Sequence, residues 1–217
     1  SATGEAVDVL AQMNRQSVYG ADVLSRIAHA DAGGLPALSR AIRAQIHEML
    51  AALTERTGAT PTDVGVLTVA GNTTMLHLLT GEDPAGIGRA PFTPVFVEAR
   101  EYTPEDLSVP LAPEGSVILL PSVSAYIGAD IVGAAVAVDV DNDEGTTLLV
   151  DIGTNGELVL THKKRVFACS TAAGPAFEGA SISSGVGGVA GAIRSWRREE
   201  RSFRFETIGN EEPVGMC

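Results

Sequence analysis

Hydrophobic spacing near the N-terminus predicts two helices followed by a strand. Apolar residues recur at helical intervals over 21–30 and again over 36–57, where Thr57-Gly58 ends the pattern. Residues 64–70 are apolar without polar alternation, which predicts a buried strand.

A polar junction follows this predicted strand. Residues 71–74 break the strand and begin a short apolar helix, with Asn72 or Thr73 as its N-cap. Such a junction is the usual way in which a parallel sheet presents a site at its carboxyl edge. Gly71, Asn72 and Thr73 are therefore candidate ligand contacts, with helix capping as the first role of the last two. His77, on the same helix, is predicted to be a core or rim histidine with satisfied hydrogen bonds.

The pattern changes over residues 81–116, which contain six prolines and few periodic segments. We predict an irregular excursion there, with an edge strand over 94–99. Residues 117–120 then predict a short buried strand. Residues 122–138 predict a helix so rich in alanine and glycine that a neighbour must pack closely against it.

An acidic stretch over residues 139–145 is the best candidate for a domain boundary. It separates a first domain over 1–140, which includes the proline-rich excursion, from a second domain over 146–217.

Residues 148–160 predict two apolar strands joined by a tight polar turn. Asp151 lies between Val150 and Ile152, where the first strand ends. A buried carboxylate there costs on the order of several kcal/mol unless it is paired or metal-bound. We therefore predict a catalytic role for Asp151 and a place for it in binding Mg²⁺.

The turn itself has the composition of a phosphate-binding loop. Gly153 and Gly156 permit positive φ and a close approach of the backbone to an anion. The Thr154 hydroxyl, the Asn155 amide and the backbone N–H groups can then point at phosphate oxygens. An ordinary hairpin with a polar turn is the alternative.

The rest of the chain is less regular. A third strand is predicted over 164–170, followed by a glycine-rich turn that includes Gly174 and Glu178. Glu178 either orients a nucleotide or partner, or caps a helix. Residues 194–204 mix basic, acidic and aromatic side chains, which indicates a partner surface or a solvated strand or helix face.

Composition limits the function classes. With 217 residues, 45% hydrophobic and 19% charged, the chain is typical of a soluble α/β protein. A net charge of −12 argues against a nucleic-acid partner, and no apolar run is long enough to cross a membrane. Its two cysteines, Cys169 and Cys217, favour a reducing cytoplasm and provide no zinc site.

Six short segments occur in a specific order along the chain. They are Asn14-Arg15-Gln16 with Tyr19-Gly20-Ala21-Asp22-Val23-Leu24-Ser25-Arg26-Ile27, Gly71-Asn72-Thr73-Thr74-Met75-Leu76-His77-Leu78, Ala90-Pro91-Phe92, Gly128-Ala129-Asp130, the hairpin from Asp151 to Glu157, and the stretch from Ala172 to Ala180. Together they resemble the ATPase domain of the reductive activators of corrinoid-dependent enzymes. That family belongs to the actin, sugar-kinase and heat-shock-chaperone superfamily.

The resemblance implies an α/β fold made of actin-like (ribonuclease H-like) ATPase lobes, with mixed sheets flanked by helices and ATP in the cleft between the lobes. The second-lobe phosphate hairpin matches the turn at Asp151, and Asp130 is implied to lie within reach of the metal or the attacking water. The residues implied to bind the cofactor are Gly71, Asn72, Thr73, Gly153, Thr154, Asn155, Gly156, Gly174 and Glu178.

The resemblance also implies a function. Family members pass an electron from a low-potential donor to a corrinoid protein, and ATP drives the return of cobalt from Co(II) to Co(I). The implied cofactors are ATP and Mg²⁺, and the implied partner is the corrinoid protein of a methyltransferase system. A homodimer is possible.

Three departures from the family pattern predict an incomplete fragment. The first-lobe Asp-Ile-Gly-Thr-like hairpin is expected before Asn14, the ferredoxin cysteines are absent, and Gly215-Met216-Cys217 resembles the start of a longer segment. We expect the iron–sulfur cluster (2Fe-2S) on a missing N-terminal domain, and negligible ATP turnover by this chain alone. A small-molecule kinase of the same superfamily and a non-catalytic interaction module remain the alternatives.

Overall fold

The computed structural model describes residues 3–140, 145–153, 155–172, 183–199 and 202–217. The chain divides into two compact units, Ser1–Asp139 and Val140–Cys217. Each unit is described by itself.

The first unit begins with two helices, α1 (Val23–His29) and α2 (Leu35–Thr57). A π-helical turn over Ala30–Gly34 joins them, and Gly33 takes a φ of 91° there. Gly58 ends α2 with a φ of 71°, a left-handed conformation in which glycine has no steric penalty. Both predicted helices are confirmed.

A mixed three-stranded sheet follows. Its strands are β1 (Val66–Val69), β2 (Arg100–Tyr102) and β3 (Ser116–Leu119). The order is β1-β3-β2, with β3 parallel to β1 and antiparallel to β2. Three further helices accompany the sheet: α3 (Thr73–Thr80), α4 (Pro104–Leu107) and α5 (Ala129–Ala137).

The largest core of this unit joins the central strand β3 to helix α3 and to the segment between β2 and β3. Apolar side chains of α2 pack against it from outside. The buried members of this core are Leu76, Leu79, Phe96, Leu107, Val109, Leu111, Val117, Leu119 and Ala129.

Two strand predictions in this unit are wrong in part. β1 was expected to be buried, but it is an edge strand and Val66 is 56% exposed. The edge strand expected over 94–99 lies instead at Arg100–Tyr102. The Val95 N–H donates to the His77 ring at 3.1 Å, so it is committed to a side chain and not to a strand ladder.

The glycine-rich helix also starts later than the sequence predicts. The prediction covers 122–138, but α5 begins at Ala129. Residues Ser124 and Ile127 form an isolated antiparallel bridge, so the chain before α5 is a loop. Gly128 is the N-cap, and its extended backbone ends the loop.

The second unit contains an antiparallel sheet and a mixed sheet. β4 (Thr146–Ile152), β5 (Asn155–His162) and β6 (Arg165–Ala172) form a meander, which confirms the predicted hairpin and third strand. β7 (Ala192–Glu199), β8 (Ser202–Thr207) and β9 (Gly215–Met216) form the other sheet, in the order β8-β7-β9.

The basic and aromatic run over 194–204 falls mainly on β7 and β8. Trp196 is 61% exposed and packs edge-to-face on Phe203, whose side chain is also exposed. This part of the chain is therefore an exposed strand face, as one of the two predictions has it, and a partner surface on it stays a prediction. In the described ranges, no helix has the length and apolar character needed to cross a bilayer.

Candidate functional site

Two loops meet at the carboxyl edge of the first unit's sheet. One connects β1 to α3 and the other connects β3 to α5, and because β1 and β3 are parallel both loops leave from the same edge. The Thr73 hydroxyl donates to the Ser124 carbonyl at 2.6 Å. The N–H groups of Ala129 and Asp130 donate to the Gly71 carbonyl at 2.9 and 3.3 Å. We call this arrangement the loop clamp.

The two loops of the clamp lie close together because Gly128 has no side chain. An ideal Cβ on Gly128 would lie 2.5 Å from the Asn72 Cα and 2.9 Å from the Gly71 carbonyl oxygen. Carbon atoms in van der Waals contact stand about 3.5–4.0 Å apart. The two backbones can therefore approach this closely only with glycine at position 128.

The predicted contacts in the clamp divide into two kinds. Gly71 is buried and Thr73 is 1% exposed, with its hydroxyl already used inside the protein. Both residues therefore hold the two loops together, and their direct contact with a ligand stays a prediction. Asn72 caps α3 by accepting from the Met75 N–H at 2.9 Å, and its amide nitrogen has no acceptor among the described residues.

Asp130 is the second exposed group of the clamp. Its carboxylate lies in the first turn of α5 and accepts from the Ile131 N–H at 2.9 Å. The partial positive charge at a helix N-terminus stabilises a carboxylate in this position. The clamp thus presents one amide donor, from Asn72, and one carboxylate, from Asp130.

His77 supports the clamp from inside the core. The ring is fully buried, and its Nδ1 lies 2.7 Å from the Thr73 carbonyl oxygen. The Val95 N–H donates to Nε2, so Nδ1 carries the proton and the imidazole is neutral. Burial lowers the pKa of His77, and the ring stacks on Phe96 at 4.3 Å. The predicted core histidine is confirmed.

A row of polar residues crosses the meander of the second unit. Asp151 on β4 lies opposite Glu157 on β5, and Glu157 lies opposite Ser170 on β6. Directly opposed residues point to the same face of a sheet. The Ser170 hydroxyl donates to Glu157 at 3.3 Å. We call Asp151, Glu157 and Ser170 the acidic row.

The acidic row has the ligand chemistry that Mg²⁺ prefers. Like charges placed directly opposite each other destabilise a sheet, and a cation between or beside them relieves the repulsion. Mg²⁺ binds through one or two carboxylates completed by water and phosphate oxygens. Among the described residues no group of three or more histidine, cysteine or acidic side chains is close enough to hold a metal by itself.

The burial that the sequence argued for this hairpin is wrong. Asp151 is exposed, so burial does not force it to bind a metal. The apolar residues beside it do not bury the strand, since Ile152 is 80% exposed. Gly153 does not adopt a positive φ; its N–H donates to the Asn155 carbonyl at 3.1 Å.

The structure describes only some of the remaining predicted site residues. Gly156 pairs with Ile152 and Thr171, at the same end of the meander as Asn155. Thr154, Gly174 and Glu178 lie outside the described residues. The clamp belongs to one unit and the acidic row to the other, so the structure brings together the members of each group separately.

Sequence reasoning did not place three structurally important residues in the site. Glu157 was detectable, because the strand pairing of the predicted hairpin puts it opposite Asp151. Gly128 had a weak signal as a glycine before an acidic helix start. Ser124 had none, because its role is a backbone carbonyl that accepts from a residue far away in the chain.

The mixed sheet with its clamped loops and the following meander belong to a fold of the actin-like, or ASKHA, class. Residues 145–217 match the family model for the C-terminal domain of RACo, the ASKHA domain. Residues 1–143 match the model for the RACo middle region. The chain therefore belongs to the RACo family, and the predicted resemblance and fold class are confirmed.

Individual relatives agree with this assignment. The chain is 32% identical over 207 residues to the corrinoid activation enzyme RamQ of Eubacterium limosum, covering 94% of this chain and 35% of that protein. It is 35% identical over 95 residues to a Co(II) methylated amine-specific corrinoid protein reductase of Methanosarcina barkeri, covering 44% of this chain and 18% of that protein.

A solved structure is similar along the whole chain. The reductive activator for a corrinoid, iron–sulfur protein superposes with a TM-score of 0.84 at 34% identity, covering 100% of this chain and 35% of that one. The chain thus spans about a third of the length of these two fuller matches.

Proposed function

We propose that the protein containing this chain reduces a corrinoid protein in an ATP-dependent reaction. One electron from an iron–sulfur donor converts inactive Co(II) to Co(I). Membership of the RACo family along nearly the whole chain is the observation that carries this proposal. The proposed partner is the corrinoid protein of a methyltransferase system, and the proposal includes a homodimer as a possible assembly.

The proposed nucleotide contacts are polar groups of the loop clamp and of the hairpin turn. The Asn72 amide nitrogen donates to a phosphate oxygen, and Asp130 orients the metal or the water that attacks the nucleotide. In the second unit the turn of Gly153, Thr154, Asn155 and Gly156 is proposed to contact the phosphates, with the Asn155 side-chain amide as a donor, since the Gly153 N–H is already bonded to the Asn155 carbonyl. Gly71 and Thr73 position the clamp, and Gly174 and Glu178 remain predicted contacts.

The acidic row fits Mg²⁺. The exposed Asp151 and the half-buried Glu157 place carboxylates on the same strand face, and Ser170 donates to Glu157. Bound Mg²⁺ would neutralise phosphate charge. The residues of this chain hold and orient that ion; they do not themselves carry the electron.

The electron donor is proposed to lie on another domain or protein. A cluster of the 2Fe-2S type takes four cysteine ligands, and this chain has two cysteines. In this proposal the cluster loses the electron that cobalt gains, so the transfer is balanced without any redox group on this chain.

The test is anaerobic reduction of a Co(II) corrinoid protein by the native protein that contains this chain, with and without ATP and Mg²⁺. The loss of the Co(II) absorption spectrum measures the rate. Reduction should require ATP, and Asp151→Asn and Asp130→Asn should each slow it by about 100-fold. Glu114→Gln changes an exposed carboxylate with no described partner and serves as the control.

Other outcomes would contradict this function. Reduction at the same rate without ATP would remove the nucleotide from the proposal. An iron-free protein that transfers phosphate to a small molecule would identify a kinase of the same superfamily. A protein with no measurable affinity for ATP would indicate an interaction module.

A further inference from the structure

Arg26, in the motif at residues 19–27, is a buried cation. The side chain is 9% exposed, and its Nε donates to the Gly20 carbonyl at 3.0 Å. A guanidinium stays charged under all ordinary conditions, and removing it from water costs free energy that partners must offset. Burial lowers the pKa of Arg26 from its ordinary value, in agreement with incomplete compensation.

The nearest acid in the motif does not neutralise this charge. Asp22 is the N-cap of α1, and its carboxylate accepts from the Ser25 N–H at 2.7 Å. The Ser25 hydroxyl in turn accepts from the Asp22 N–H at 3.1 Å. No described carboxylate lies within ion-pair distance of Arg26. Asp22, held in the capping box, attracts the guanidinium only from farther away, and its effect on the pKa of Arg26 is smaller than that of burial.

Five other arginines of the first unit have partners among the described residues, and Arg40, which has none there, is exposed to water. The guanidinium of Arg43 donates to two carbonyls, from Nε at 2.8 Å and from Nη2 at 2.9 Å. Four more each have a carboxylate partner, namely Arg15, Arg56, Arg89 and Arg100. Arg26 is more deeply buried than these four and makes a single hydrogen bond within the described part of the chain.

The terminal nitrogens of Arg26 are not satisfied within the described part of the chain. Its Nε is fixed inward by the Gly20 carbonyl, whereas Nη1 and Nη2 donate to no described residue. The residue keeps 9% of its surface exposed. The arginine is therefore a nearly buried cation with two terminal donors that no described residue satisfies.

Gly20 fixes the direction of this fork. An ideal Cβ on Gly20 would lie 2.5 Å from the Ser25 Oγ and 2.9 Å from the Arg26 backbone nitrogen. Only glycine lets the chain pass this close to the first turn of α1. The Gly20 carbonyl can then accept from Nε and hold the guanidinium plane in one orientation.

We infer that the two terminal nitrogens of Arg26 bind an oxyanion, phosphate or carboxylate, which comes from outside the described residues. A planar guanidinium with its fork preorganised matches two oxygens of such a group, and the pairing is charge-assisted. The oxyanion also supplies the missing counter-charge. This inference does not depend on the proposed ATP-dependent reduction.

The experiment measures anion-dependent thermal stability of the native protein that contains this chain. Sodium phosphate and sodium acetate are titrated at constant ionic strength, without nucleotide. The variants are Arg26→Met, which removes the fork, and Arg26→Lys, which keeps the charge. Arg40→Met is the matched control, because Arg40 is exposed and has no described partner.

Phosphate or acetate should raise the unfolding temperature of the wild type and of Arg40→Met, and the shift should disappear in Arg26→Met. In Arg26→Lys the apparent anion affinity should fall about tenfold, because the bidentate geometry is lost. A response to phosphate alone identifies a phosphate group as the oxyanion, whereas an equal response to acetate identifies a carboxylate.

An anion response that is the same in Arg26→Met and wild type would overturn the inference, since it would be a general salt effect or binding elsewhere. No response of the wild type to either anion would also overturn it. If Arg26→Met does not fold, the anion affinity of Arg26→Lys is the test. An affinity equal to that of the wild type would reject binding by the two terminal nitrogens of Arg26.

Discussion

Replacing Gly128 with alanine should open the loop clamp. The new Cβ would lie 2.5 Å from the Asn72 Cα, a contact between two backbone segments that cannot be relieved by rotating a side chain. Because carbon atoms need about 3.5 Å, the loops must separate by about 1 Å. The nearby Asp130 Oδ1, at 2.6 Å from the same position, can move away on its own.

The cost has two parts. Overpacking of a well-packed site costs about 1–3 kcal/mol. Separation by this amount also lengthens the 2.9 Å hydrogen bond from Ala129 to the Gly71 carbonyl beyond a useful distance, which costs about 1 kcal/mol. We therefore expect Gly128→Ala to lower the free energy of unfolding by about 2–4 kcal/mol.

The assay is urea unfolding followed by far-ultraviolet circular dichroism. All five α-helices of the described residues lie in the first unit, so the helical signal reports on the clamp. Trp196, the single tryptophan, lies in the second unit, and its fluorescence follows that unit separately.

Gly133→Ala on the same helix is the control. Its Cβ would have ordinary contacts of 3.6 Å to Leu120 and 3.7 Å to Ala70, and alanine favours the helix by about 0.5–1 kcal/mol. Gly128→Ala should destabilise while Gly133→Ala should not. Equal effects of the two changes on the helical transition would refute the steric reasoning.

Two further predictions concern the core under the clamp. Burial lowers the pKa of His77, so as pH falls the imidazole is protonated in the unfolded chain before it is protonated in the folded one. The free energy of unfolding should therefore be constant above about pH 6.5 and should fall below it, by at most about 1.4 kcal/mol per pH unit, until the native pKa is reached. His77→Gln should flatten that slope in urea titrations at several pH values, and an unchanged slope would reject the assignment. Thr73→Val should lower the free energy of unfolding by about 1–2 kcal/mol, because the Ser124 carbonyl loses its hydrogen bond from Thr73. Thr80→Val, which removes a hydroxyl bonded within its own helix, should lower it less, and equal losses would contradict the clamp.

Local patterns were sufficient for the helices and for the order of elements. The stripe over 36–57 and the left-handed Gly58 define α2 through interactions a few residues apart. Asn72 caps α3 as its residue type predicts, because the bond to the Met75 N–H is also local. The hairpin around Asp151 is local for the same reason, and its register is set by a short turn.

Family membership was also readable from the sequence, since six short segments in a fixed order carry more information than any one of them. The roles of single residues were not. Thr73 and Gly71 are the residue types of a ligand site, yet the structure uses them to join two loops.

Only the tertiary structure determined exposure and long-range contacts. Whether β1 is buried depends on which strands lie beside it. In the order β1-β3-β2, β1 pairs with β3 alone and lies at the edge of this sheet. The start of α5 depends on the Gly71 carbonyl, which lies far away in the chain. The apolar composition of a strand indicates that it prefers burial, but the surface that would cover it is formed by other segments of the chain. For this physical reason the exposure of Asp151 and the burial of Arg26 could be determined only from the tertiary structure.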